Sequence, residues 1–282
     1  MRKVILPLLL LFAFNADGQG GWVKEKGKYY VQLAYTTFTS DQYYNLDGDL
    51  LQTTNFSQQS LILYGEYGLG KNVALMLNQV VYRWNGFETT ERVSGIGDAF
   101  VGIQYALAKG AYPVSITVGP EIPLAQANRY ASSTVNSFDR INLPTGDGEW
   151  NVKATLAGSH KFENLPVYTS IYTTFNYRTS FEGNPFSNQI KAGAEIGYQP
   201  LKPLWLQAKI HVFYSIGAPK RNSDFIRAEG TSFTAVEFAA AYSMSRKLAL
   251  VANVGLYNDW IAARKNLYSA PNYTLGIAFK LD

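Results

Sequence analysis

The chain has 282 residues, of which 16% are charged and 15% aromatic, with 20 Tyr, 16 Phe and no Cys. The missing Cys excludes disulfides, and the length suits one large β domain or two small ones. A formal net charge of +4 with no long basic run gives no case for nucleic acid as a partner.

The first residues have the layout of a secretory signal peptide. Arg2 and Lys3 form a basic start, Val4 to Phe14 is apolar apart from Pro7, and the small residues Ala16 and Gly18 sit two apart. The apolar run is too short to cross roughly 30 Å of hydrocarbon as a helix. Residues 1–18 are therefore expected to be removed before Gln19, and no Cys stands near that point to carry a lipid. No other long apolar run follows, so helical membrane spans are not expected.

Residues 19–282 read as one domain of alternating strands. A strand sends successive side chains to opposite faces, so a half-buried strand alternates with a period of two. Lys28 to Phe38 places Tyr29, Val31, Leu33 and Tyr35 on one face, with Gln32, Ala34 and Thr36 on the other. Gln58 to Tyr67 is followed by the tight turn Gly68 to Asn72. Val73 to Arg83 has apolar residues in both rows, so its facing is ambiguous. Gly97 to Leu107 alternates clearly, with Asp98, Gly102 and Gln104 on the polar side. The strand from Val114 meets Pro120 and Pro123, which cannot donate to a ladder, and a bulge or early exit is expected there.

Trp150 to Phe162, Val167 to Arg178, Gln189 to Gln199, Leu204 to Tyr214, Phe233 to Tyr242, Leu248 to Tyr257 and Tyr273 to Leu281 complete twelve strands. The last is the clearest: Tyr273, Leu275, Ile277, Phe279 and Leu281 oppose Thr274, Gly276, Ala278 and Lys280. Connections alternate short with long, the long ones including Thr39–Ser57, Ala125–Glu149, Ser215–Ser232 and Asn258–Asn272. Aromatic residues gather at strand ends: Tyr67, Tyr105, Phe162, Tyr198, Tyr242 and Phe279 towards the short turns, Trp84, Trp150, Tyr177, Tyr214, Tyr257 and Tyr273 towards the long loops. Two aromatic girdles, an even strand count, short periplasmic turns and longer external loops define an all-β transmembrane antiparallel barrel of an outer membrane. Such a chain contacts outer-membrane lipid and meets the barrel assembly machinery through its C-terminal strand. A soluble sandwich fits less well, because the inward row is rich in small and charged residues.

The inward charges are the candidate functional residues. Lys191 and Glu195 share one strand face, Lys209 and His211 the next, and Glu237 the one after, while Lys153 adds to them from another wall with Glu66, Glu121 and Gln104. Adjacent strands lie about 4.8 Å apart, so the first five form an alternating-sign cluster on one side of the lumen. Two roles remain open for it: a polar constriction that selects solutes, or a salt-bridge network that fills and stiffens the interior. Catalysis is not expected, and neither is a cofactor. The two His, His160 and His211, lie in no nucleophile motif, and Ser159 and His160 face opposite ways. No HExxH or Cys/His cluster marks a metal site. Gly95 to Asp98 and Thr145 to Gly148 lack the Lys-Ser/Thr of a phosphate loop.

Gly97-Asp98-Ala-Phe-Val-Gly102-Ile-Gln-Tyr105 resembles the "GD…G.KY" strand of a family of outer-membrane transporters labelled with the MetA pathway of phenol degradation. Leu143-Pro144-Thr-Gly146-Asp147, followed by Trp150, resembles its second motif, and the likeness covers roughly Leu61 to Arg178. The resemblance implies uptake of small hydrophobic or aromatic molecules. Only Gln19 to Gly27 precedes the first strand, so an N-terminal plug is not expected. Passive passage of small solutes is the expected role; the alternative is a closed structural barrel that acts through its external loops.

Overall fold

The computed structural model describes residues 20–136, 138–217 and 228–281, so the expected signal peptide, residues 1–18, lies outside the described residues. Period-two alternation becomes twelve long antiparallel strands. They are β1 (Tyr29–Tyr44), β2 (Leu50–Gly68), β3 (Val73–Phe87), β4 (Ala99–Ala108), β5 (Val114–Ile122) and β6 (Asn151–Lys161). The other half is β7 (Val167–Arg178), β8 (Gln189–Leu201), β9 (Leu204–Ser215), β10 (Ser232–Ser243), β11 (Leu248–Asn258) and β12 (Asn272–Leu281). Each pairs with its neighbours in sequence, and β1 also pairs with β12 from Tyr29↔Leu281 to Thr37↔Tyr273, which closes the barrel. Closure satisfies every strand's ladder internally, as a bilayer core without water requires.

The apolar rows point outward. Leu33, Tyr35, Ile171, Phe238 and Leu275 are exposed on the outer wall, whereas Gln32, Ala34, Tyr172 and Ala278 are buried within. The ambiguous third strand has a physical explanation. The register with β2 shifts between Leu61↔Tyr82 and Ile62↔Val80, so Val81 is an extra residue and the phase flips there. Val81 and Tyr82 are consequently both exposed, which puts apolar residues in both rows of the sequence.

Several boundaries differ from the sequence expectation. β1 and β2 stay paired out to Tyr44↔Leu50, so Thr39–Ser57 is a long hairpin with a short Asn45–Asp49 turn and not an open loop. The Asn45 side chain closes that turn by accepting from the amides of Asp47 (3.0 Å) and Asp49 (2.8 Å). Gly97 and Asp98 precede β4 in irregular backbone instead of starting the strand. β5 runs through Pro120, which keeps its place opposite Val152, and ends at Ile122 before Pro123. Tyr257 turns into the lumen and is not part of the outer girdle: its ring meets Phe233 edge-on at 5.0 Å.

The largest departure is at the N-terminal segment. The chain before β1 enters the short-turn end of the barrel and fills it. The Gly21 amide donates to Ser159 Oγ (2.8 Å), and the Gly20 carbonyl accepts from Ser115 Oγ (2.9 Å) and Gln104 Nε2 (3.3 Å). Trp22 packs edge-on against Tyr168 at 5.6 Å, and the buried Lys24 ammonium lies 3.8 Å from Glu66. A Cβ on Gly21 would sit 2.1 Å from the Pro113 carbonyl oxygen, so only glycine seats there. Together with Tyr30, Tyr64, Met76, Tyr168 and Trp205 this segment makes a packed floor. The expectation of no plug fails because the short segment Gly20 to Lys28 suffices when the inward row beneath it is already bulky.

Candidate functional site

Above the floor the inward row changes character, and two adjoining hollows of about 250 and 350 Å³ open in mid-barrel. Both are lined by Lys191, His211 and Phe233, so they form one chamber. Strand register brings the charges together: Lys209 lies opposite Glu195 on one side and Glu237 on the other, and His211 lies opposite Gly193. Lys191, Lys209, His211 and Glu237 line the smaller hollow, while Lys153 joins Lys191 and His211 around the larger.

Each charge has a defined neighbour. His211 Nδ1 is 3.4 Å from Glu237 Oε1, and Asn253 Nδ2 donates to Glu237 Oε2 at 3.1 Å. Lys153 donates to Glu121 at 2.6 Å, and Asn151 adds a second hydrogen bond to that carboxylate at 2.9 Å. The Lys209 ammonium sits 5.2 Å from the centre of the Tyr172 ring. Glu195 departs from this group. Its carboxylate accepts from the Tyr168 hydroxyl (2.5 Å), which itself accepts from Gln207 (2.6 Å), so it belongs to the floor's packing. Glu66 and Gln104 also belong to the floor, through Lys24 and Ser115 respectively.

Aromatic rings complete the chamber. Phe213 and Phe233 lie one on the other with centroids 5.3 Å apart and planes 9° apart, and Tyr257 closes edge-on against Phe233. Phe100 faces them from the opposite wall, within 5.9 Å of Lys153. Gly102 leaves the space for it, since a Cβ there would come within 2.6 Å of the Phe100 ring. Of these rings sequence reasoning placed only Phe213 inside; Phe100 and Phe233 fall opposite the expected outward rows and could have been found the same way.

The long-loop end is a roof tied by buried charges. Arg178, at the end of β7, donates to Glu149 through Nε (2.9 Å) and Nη2 (2.5 Å), lies 3.8 Å from Glu229 and 3.9 Å from Asp147, and stacks on Phe186. Glu229 also accepts from the Ser187 amide (2.9 Å) and hydroxyl (2.6 Å). One guanidinium therefore serves three carboxylates, Asp147 and Glu149 from one loop and Glu229 from another. Burial and the adjacent Asp147 carboxylate push Glu149 up to about 7, against the pull of Arg178.

The two motif segments meet in this roof. Asp98 accepts from the amides of Ala125 and Asp147, each at 3.1 Å, and Asn85 donates to the Pro144 carbonyl at 2.7 Å. A Cβ on Gly146 would lie 2.3 Å from Asp98 Oδ2, and one on Gly97 2.5 Å from Val80. Burial raises the Asp98 pKa, an effect the two amides oppose. These motif residues hold the loop of residues 125–149 in the barrel mouth and do not line the chamber. Tyr105 is apart from them, exposed on the outer wall near the short turns.

Ser159 and His160 face opposite sides as expected: Ser159 bonds Ser170 inside (2.8 Å), and His160 stacks on Tyr112 outside (4.5 Å). Among the described residues, no group of three metal-ligating side chains occurs.

No family model and no curated protein matches the sequence. Solved structures do match the fold. An outer-membrane channel from Pseudomonas putida F1 aligns over 92% of this chain and 97% of its own, with a TM-score of 0.68 and 14% identity. The translocator domain of the autotransporter NalP from Neisseria meningitidis aligns over 92% and 90%, with a TM-score of 0.55 and 9% identity. The NanC porin aligns over 89% and 100%, with a TM-score of 0.53 and 10% identity. The chain has the fold of an outer-membrane β-barrel.

Proposed function

We propose that this protein is an outer-membrane channel for passive passage of small solutes, and that its mid-barrel chamber accepts small hydrophobic or aromatic compounds. The observation that carries this is the chamber itself. A barrel built only for rigidity would fill its middle as it fills its floor, yet here stacked rings and charged side chains surround open volume. Phe213, Phe233 and Tyr257 offer faces and edges to a ring, and Lys191, Lys209 and His211 offer donors to a polar substituent. The similarity to an outer-membrane channel supports the same role. An N-terminal signal for export and an outer-membrane location in a diderm bacterium follow from it.

The packed floor favours a second role, a closed barrel that works through its knitted external loops. Single-channel recording of the purified protein in a planar bilayer, under a salt gradient, separates the two. Steady or gated currents that change ion selectivity in Lys209→Gln support the channel. A correctly folded barrel that stays silent, and liposomes that do not admit small aromatic solutes, leave the structural role standing.

A further inference from the structure

The modest net charge hides a strong segregation along the barrel axis. Every one of the five short turns carries an exposed cation: Lys71, Lys109, Lys161 beside the third turn, Lys202, and Arg246 with Lys247. The N-terminal segment adds the exposed Lys26 at the same end. Only Glu25 and Glu163 oppose them among the described residues of this rim. The far end is mixed and richer in acid: the β1–β2 hairpin holds Asp41, Asp47 and Asp49, while Arg92, Arg140 and Arg264 stand among acidic residues in the other loops.

The spacing of these cations is regular. Tyr67, Tyr105, Tyr198 and Tyr242 are outward-facing girdle residues, and Lys71, Lys109, Lys202 and Arg246 each follow four positions later. Each turn also exposes an apolar side chain beside its cation: Leu69, Leu107, Leu165, Leu201 and Met244. Aromatic rings settle at the boundary between hydrocarbon and headgroups. A cation four residues beyond such a ring, with an apolar neighbour to anchor the turn, stands at phosphate level. A surface for an acidic protein would not need this pairing repeated at four of the five short turns.

We propose that the short-turn rim is a docking ring for anionic glycerophospholipid, with the headgroup phosphates of the periplasm-facing leaflet held by Lys71, Lys109, Lys202 and Arg246. The ring fixes the depth and tilt of the barrel from below, whatever the lumen carries. It also keeps lipid phosphate beside the turns that surround the N-terminal floor.

The test measures lipid selectivity of the full-length protein reconstituted in mixed bilayers, using spin-labelled phosphatidylglycerol and phosphatidylcholine. For the native protein the ratio of their association constants should be at least about 3, falling towards 1 in about 0.5 M salt, where surface charges are screened. The variant K71Q/K109Q/K202Q/R246Q should lower the ratio to about 1.5 or less while single-channel behaviour stays unchanged. The control variant D41N/D47N/D49N, at the opposite end, should keep the native ratio. A native ratio near 1, a ratio insensitive to salt, or an unchanged ratio in the four-site variant overturns the proposal. So does capture of an acidic protein by the rim with no lipid preference.

Discussion

Gly21→Val should unseat the floor. The Cβ it adds would sit 2.1 Å from the Pro113 carbonyl oxygen and 2.9 Å from the Ser159 amide nitrogen, both backbone atoms that a flexible side chain cannot vacate. Relieving the first contact requires a shift of about 1 Å, beyond the reach of the hydrogen bonds at 2.8, 2.9 and 3.3 Å that hold Gly20 and Gly21. Three neutral hydrogen bonds at about 0.5–1.5 kcal/mol each amount to about 1.5–4.5 kcal/mol, or a shift of about 10- to 2,000-fold towards the unseated segment. The strands do not depend on these bonds, so the barrel should still fold and keep its heat-modifiable gel mobility. Single-channel recording should show more frequent or larger openings than in the native protein. Equal conductance in a folded Gly21→Val barrel would refute the floor as the lumen's barrier.

Arg178→Leu leaves Glu149 and Glu229 buried without their shared cation, at a cost of about 3–5 kcal/mol, and limited proteolysis should then cut the loops around residues 149 and 229 first. Gly146→Val collides with Asp98 and Ala125 and should release the loop of residues 125–149, read as faster hydrogen exchange there with the strands unchanged. Glu149 has a folded-state pKa of about 7, above its ordinary 4.5, so its contribution to stability is complete below about pH 4.5 and is lost as pH rises through about 7. Thermal unfolding should accordingly show loops that hold better at pH 5.5 than at pH 8, a difference worth at most roughly 2 kcal/mol that Glu149→Gln should abolish. Phe233→Ala removes the ring between Phe213 and Tyr257 and should weaken uptake of small aromatic solutes in liposomes several-fold while leaving ion selectivity nearly intact.

The barrel was legible because lipid demands one continuous apolar row, which the strand from Tyr273 to Leu281 displays without a break. The same dependence on lipid explains the misses. The outer halves of β1 and β2 leave the bilayer, and their Thr, Ser, Gln and Asn residues carry no apolar row to reveal a strand. Val81 hides a phase change that only the partner strand's register exposes. For the lumen, alternation put Lys191, Lys209, His211 and Glu237 on one wall, because neighbouring inward rows must converge. It could not show that Glu195 is claimed by Tyr168, nor that the loops return to bury Arg178, because those contacts link residues far apart in sequence.

The proposed passage of solutes requires both ends of the barrel to let them by, and the energetics of the two ends differ. The roof is held by a guanidinium whose removal from its carboxylates would strand buried charge, a cost of several kcal/mol that no neutral side chain in the chamber offsets. The floor is held by neutral hydrogen bonds to two glycines and by an edge-on ring contact at Trp22, and water entering the lumen can replace those bonds as they break. Lys24 ties the segment to the wall by charge, and at 3.8 Å from Glu66 that contact is longer than the 2.5 Å one that binds Arg178 to Glu149. On the proposed channel role, a solute held in the chamber therefore meets the smaller of the two barriers at the segment before β1, and the roof is the end that costs more to open.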